Sequence, residues 1–68
     1  MKEYKVKCSR SYSILGKAMP KIDNSVNYYI IEKSIYYPNC VIIQRIDKQK
    51  YLGNSTWIVP ESEVELII

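Results

Sequence analysis

The sequence predicts an all-β protein of about five short strands in one domain, residues 1–68. Apolar and polar residues alternate near both ends of the chain, the mark of half-buried strands. Between those ends the apolar stretches are rich in Ile, Val and Tyr, which suit a pleated surface. Turn-forming groups such as Pro38-Asn39 and Gly53-Asn54 separate the stretches.

Taken in order, residues 4–8 (YKVKC) form the first strand, with Tyr4, Val6 and Cys8 on one face and Lys5 and Lys7 on the other. Residues 9–25 read as a long excursion with room for a short hairpin. Ile14-Leu15-Gly16 interrupts a mostly polar run there, and Pro20 opposes a helix. Residues 26–33 (VNYYIIEK) suit a strand. Tyr28, Ile31 and Ile35 also fall at helical spacing, but the segment lacks a helix-forming body and the strand is preferred. Residues 34–39 read as a turn. Residues 40–47 (CVIIQRID) are the central strand, with Val41, Ile43 and Arg45 on one face and Cys40, Ile42, Gln44 and Ile46 on the other. Residues 48–55 read as a hairpin connection, which Tyr51-Leu52 could use to lengthen the strands. Residues 56–59 make the next strand, stopped by Pro60, and Glu61-Ser62-Glu63 is a turn. In the last strand, Val64, Leu66 and Ile68 alternate with Glu65 and Ile67.

Composition limits function. A net charge of +3 with 47% apolar residues describes a folded chain. Residues 1–7 lack the apolar stretch of a signal peptide, and no apolar run is long enough to cross a bilayer. The expectation is a cytoplasmic protein with no membrane partner. Cys8 and Cys40 lack CxxC spacing and read as reduced, small hydrophobes; a disulfide between them is the competing reading. Without His, two Cys cannot complete a tetrahedral zinc site. The usual base near neutral pH is likewise missing. Gly16 and Gly53 stand alone, so there is no phosphate-binding loop. Asp23 and Asp47 are isolated, and Glu61, Glu63 and Glu65 sit solvated near the chain end. These readings predict a non-enzymatic protein with no cofactor or metal. Abundant Ile, Lys, Tyr and Asn without Phe points to an AT-rich coding genome, as in low-GC bacteria and their phages.

Residues 57–67 (WIVPESEVELI) resemble the close of a Src-homology-3-like barrel. In that family a strand ends at Pro, one turn of 3₁₀ helix follows, and a short strand beginning with Val closes the barrel. Pro60, Glu61-Ser62-Glu63, Val64 and Leu66 take those places here. The rest of the chain fits by strand count and loop length. The resemblance implies a small five-stranded barrel with one short helical turn. It does not extend to proline-rich peptide binding. The family's groove Trp is replaced by the Cys40-Val41-Ile42 stretch, its Tyr before the closing Val by Glu63, and its Gly before the Pro by Trp57. Fold alone does not carry function in any case.

Two surfaces are candidates for binding. Tyr28-Tyr29 and Tyr36-Tyr37 are adjacent pairs, and neighbours in a strand face opposite ways, so one of each pair can reach a partner. The second candidate is basic: Lys5, Lys7, Arg10, Lys17 and Lys21, with Lys2, face only Glu3 within residues 1–21. Tyr12, Tyr36 and Tyr37 could stack on bases beside it. The plainer reading makes Lys5 and Lys7 the solvated face of a strand. The chain also resembles small phage proteins that inhibit host machinery, including defence nucleases. The leading expectation is therefore a protein-binding module whose partner is a larger host protein or complex, acting in the host cytoplasm if phage-encoded. The alternatives are a nucleic-acid-binding barrel using the basic residues, and a structural subunit of a homo-oligomer such as a homodimer.

Overall fold

The computed structural model describes residues 2–12, 21–47 and 56–67. They form β1 (Tyr4–Val6), β2 (Tyr28–Lys33), β3 (Cys40–Arg45), β4 (Thr56–Pro60) and β5 (Val64–Leu66), with a 3₁₀ turn, Glu61–Glu63, before β5. All pairings are antiparallel, in one sheet ordered β4-β3-β2-β1-β5. The all-β reading and the order of its strands are those of the sequence. Strand ends are shorter than alternation suggested, except that β4 takes in Pro60. Pro60 is tolerated because β4 lies at the edge of the sheet. The connection over residues 48–55 and residues 13–20 of the excursion after β1, Lys17 among them, lie outside the described residues.

Residues 28–33 form a strand, as preferred, and the helical spacing of Tyr28, Ile31 and Ile35 is not used. The β2–β3 register shifts between Ile30 and Glu32, so Ile31 is the extra residue of a bulge. Its side chain is exposed, as expected where the pleat is interrupted.

The expected barrel is an open sheet, because its two edge strands, β4 and β5, are not paired. The sheet is nonetheless rolled, as chain length requires. Laid flat, β4 and β5 would lie four spacings apart, roughly 19 Å. The chain from Pro60 to Val64, even fully extended, reaches at most about 14 Å. Only a curled sheet allows so short a connection. On the far side of β4 the Tyr12 N–H donates to the Ile58 carbonyl at 2.8 Å, a single bridge.

Rolling gives the sheet a concave face that buries Val6, Ile22, Tyr28, Val41, Ile43, Trp57 and Val59. Cross-strand pairs Val41↔Val59 and Ile43↔Trp57 bring these side chains onto that face. The Tyr28 and Trp57 rings meet edge to face, centroids 5.8 Å apart. Trp57 is thus a core residue. Cys40 and Ile58 are also buried but lie outside this core. Cys8 packs at the margin of the core, whereas Cys40 alternates with Val41 onto the opposite face. Both are free thiols.

Candidate functional site

The four candidate tyrosines do not share one surface. Tyr28 is fully buried, the inward member of its pair, and offers nothing to a partner. Its hydroxyl donates to the Asp23 carbonyl at 2.8 Å and accepts from the Asp23 N–H at 3.1 Å. Burial raises the pKa of that hydroxyl. Tyr29 is half-buried on the convex face, across from Gln44. Tyr36 and Tyr37 lie in the turn between β2 and β3, where strand alternation does not apply.

That turn is well determined. Ser34 N–H donates to the Cys40 carbonyl at 3.0 Å, closing the hairpin. The Ser34 hydroxyl accepts from the N–H groups of Tyr36 and Tyr37, at 3.1 and 3.3 Å. Asn39 has φ of 60°, a left-handed conformation that Asn tolerates better than most residues. Its carbonyl accepts from Glu61 N–H at 2.9 Å, tying the turn to the 3₁₀ crossing.

The turn meets the chain leaving β1. Tyr12, held against β4, stacks on Tyr37 with ring centroids 4.6 Å apart and planes inclined by 19°. Tyr12 remains 45% exposed, Tyr36 60% and Ile35 87%. The stack thus joins two loops, and exposed Ile35 and Tyr36 adjoin Tyr37 in the chain. From the sequence Tyr12 groups with Tyr36 and Tyr37 only as a residue that could stack on bases, and Ile35 is not singled out. A lone Tyr in a polar stretch gives no sign that it will be stacked by a residue twenty-five positions away.

The basic candidates are divided. Lys5, Lys7, Arg10 and Lys21 are exposed. Lys5, however, is paired across the sheet with Glu65, and Lys7 N–H donates to the Glu63 carbonyl at 2.8 Å. The acidic end of the chain therefore runs beside the first strand, and those two lysines do not stand in a field of one sign. Arg10 and Lys21 are brought near one another by the bond from Ile22 N–H to the Ser9 carbonyl, 3.0 Å.

Asp23 and Asp47, isolated in sequence, meet at Arg45. The guanidinium makes two bonds of 2.8 Å to the Asp47 carboxylate and lies 4.0 Å from Asp23. Ser25 donates to Asp23 from its hydroxyl and its N–H, and these bonds, with Arg45, lower the Asp23 pKa. Asn24 completes the junction by donating to the carbonyls of Val6 and Cys8 at 2.6 and 2.8 Å. These charges pair with one another and tie residues 23–25 to the end of β3. Burial, then the nearby Glu63 carboxylate, raises the Cys8 pKa and disfavours the reactive thiolate. Among the described residues no cluster of His, Cys, Asp or Glu could hold a metal ion, and no helix is long and apolar enough to cross a membrane. The chain matches no protein-family model, no curated protein and no solved structure.

Proposed function

We propose that the chain is a non-enzymatic module that binds a larger protein through the face made by Tyr12, Ile35, Tyr36 and Tyr37. The observation that carries this reading is the Tyr12–Tyr37 stack beside the exposed Ile35 and Tyr36. Apolar area gathered from separate loops is the form a docking patch takes, whereas scattered single exposures are ordinary. Tyrosine gives such a patch large contact area with little rotamer freedom to lose, and the stack and the Ser34 turn restrict it further. Occupying a partner's surface in this way is how a small inhibitor of a larger host protein would act. The Src-homology-3-like reading belongs to the same proposal and rests on the Pro60-to-Leu66 segment, without the proline-binding groove.

The test is capture from nuclease-treated lysate on the immobilised chain, followed by titration of the retained protein. Tyr36→Ala is expected to weaken that binding about thirtyfold, the effect of a hot spot near 2 kcal/mol. Undiminished binding after Tyr12→Ala, Ile35→Ser and Tyr36→Ala together would refute the site. Two observations favour the nucleic-acid reading: Arg10 and Lys21 are neighbours of the bonded Ser9 and Ile22, and Tyr12, stacked on Tyr37, is exposed, as is Tyr36. The carboxylates beside Lys5 and Lys7 weigh against it. It requires salt-sensitive binding of single-stranded DNA or RNA at about 50 mM salt, and no binding there would end it.

A further inference from the structure

We propose that the outer edge of β5 is a second docking element, which takes up an extended, Lys- or Arg-bearing segment of another protein as an added strand. The phase of the β1–β5 ladder decides which groups that edge offers. Lys7 N–H donates to the Glu63 carbonyl at 2.8 Å and Ile67 N–H to the Glu3 carbonyl at 2.9 Å, with Lys5 opposite Glu65. The odd-numbered residues at this end are thus the ones bonded to β1. In an antiparallel ladder the residues between them turn their N–H and C=O the other way. Leu66 N–H, Leu66 C=O and Val64 C=O therefore point away from the sheet. Val64 N–H is satisfied by the Glu61 carbonyl. Among the described residues, nothing bonds to the Leu66 backbone groups. The Leu66 side chain is 51% exposed and Ile67 42%, so the edge is apolar as well as open.

Charge selects the occupant. Residues 61–67 carry Glu61, Glu63 and Glu65 and no cation. A second copy laid edge to edge would bring these carboxylates against their own kind, and like charges opposed across strands are destabilising. A basic side chain opposite Glu65 has the reverse effect. It lies one strand spacing from that carboxylate but two from Lys5, roughly 10 Å, about a Debye length at 0.1 M salt. Attraction at the short distance outweighs the screened repulsion at the long one. Apolar residues alternating with the basic ones would cover Leu66 on the other face, the pattern of strand addition to a sheet edge.

This proposal does not rest on the tyrosine face, and its failure would leave that one standing. The test uses the full ¹⁵N-labelled chain and two peptides, one alternating Lys with Val and one alternating Glu with Val. The Lys peptide is expected to shift the amides of Val64 to Ile67, with affinity that falls as salt rises. Leu66→Pro removes a donor that no strand of this chain uses, and Pro is tolerated at an edge. It should weaken the Lys peptide about tenfold, as loss of one well-made hydrogen bond does. Glu65→Lys, which leaves the backbone intact, should do the same and should improve the Glu peptide. Equal binding of both peptides, shifts confined to Tyr12, Tyr36 and Tyr37, or full affinity in both variants would overturn the proposal. Self-association of the chain that is abolished by Leu66→Pro would also overturn it, in favour of a second copy as occupant.

Discussion

Replacing Tyr28 with Phe removes one oxygen atom and little else. The ring is fully buried and edge-on to Trp57, and Phe keeps both the burial and the contact. The loss is two hydrogen bonds, to the Asp23 carbonyl at 2.8 Å and from the Asp23 N–H at 3.1 Å. Each is worth on the order of 1 kcal/mol net. Asp23 is exposed, so water can recover part of this for its backbone groups. The expected destabilisation is about 1–2 kcal/mol. For a chain of this size total stability is only ~3–10 kcal/mol. A Tm lower by roughly 4–16 °C should result. The assay is urea unfolding followed by fluorescence of the single Trp, Trp57, with an unchanged m-value as the check that compactness is unaltered. The substitution should also alter the alkaline limb. Burial raises the Tyr28 pKa, so the folded chain holds that proton more tightly than the unfolded one. Its contribution is complete below about pH 10 and is lost as pH rises through the folded value. Tyr28→Phe should flatten that limb. A change under about 0.3 kcal/mol, with the alkaline limb intact, would refute the hydroxyl as the anchor of residues 21–27.

Three further outcomes follow from the same geometry. Asn24→Ala removes the amide that donates to the Val6 and Cys8 carbonyls and should cost about 1–2 kcal/mol in the same urea titration. The Asp23 pKa is lowered by the Ser25 hydroxyl, then the Ser25 N–H, with Arg45 adding to them; its stabilisation is present above an unfolded pKa near 3.9 and lost as pH falls through the lower folded value. Asp23→Asn should therefore flatten stability against pH on the acid side, read by thermal melts in steps from neutral to strongly acid pH. At Asn39, where φ is 60°, Gly should be accepted with little change, while Val should cost on the order of 1–3 kcal/mol.

Much of the sheet was legible because a period of two survives at each strand. Val6 buried between exposed Lys5 and Lys7 is the arrangement alternation predicted, and so is Val41 with Ile43 on the core face. Strand ends were harder to place, since hydrogen bonding stops where the partner strand turns away. β1 ends at Val6 although Cys8 keeps the pattern and still packs at the core margin. Whether the rolled sheet closes depends on long-range pairing between β4 and β5, which no local pattern encodes. The candidate surface was only half legible. Two adjacent tyrosines in residues 36–37 drew attention, but their directions come from Ser34 and the left-handed Asn39. The Tyr12 contact is tertiary and needed the bridge to Ile58 to be found. The opposition of Lys5 and Glu65 likewise depends on β5 lying beside β1, residues sixty positions apart.

The separation between what holds this chain together and what it presents to others bears on how the tyrosine face should be tested. Tyr28, Ile43 and Trp57 contribute to stability, and their replacement would be felt in folding before anything else. Ile35 is in the opposite position. At 87% exposure it has almost no contact to lose, and the turn around it is held by backbone and Ser34 bonds that do not involve its side chain. Changing Ile35 to Ser should alter stability by less than about 0.5 kcal/mol. A polar residue would serve the folded chain equally well and would keep it more soluble. Exposed Ile35, next to exposed Tyr36 and the Tyr12–Tyr37 stack, is the residue of the proposed face whose replacement disturbs the fold least. Because the substitution leaves folding alone, any loss of binding it causes can be read directly as loss of contact. A measured loss of stability above about 1 kcal/mol would show that Ile35 is structural after all, and would remove it from the face.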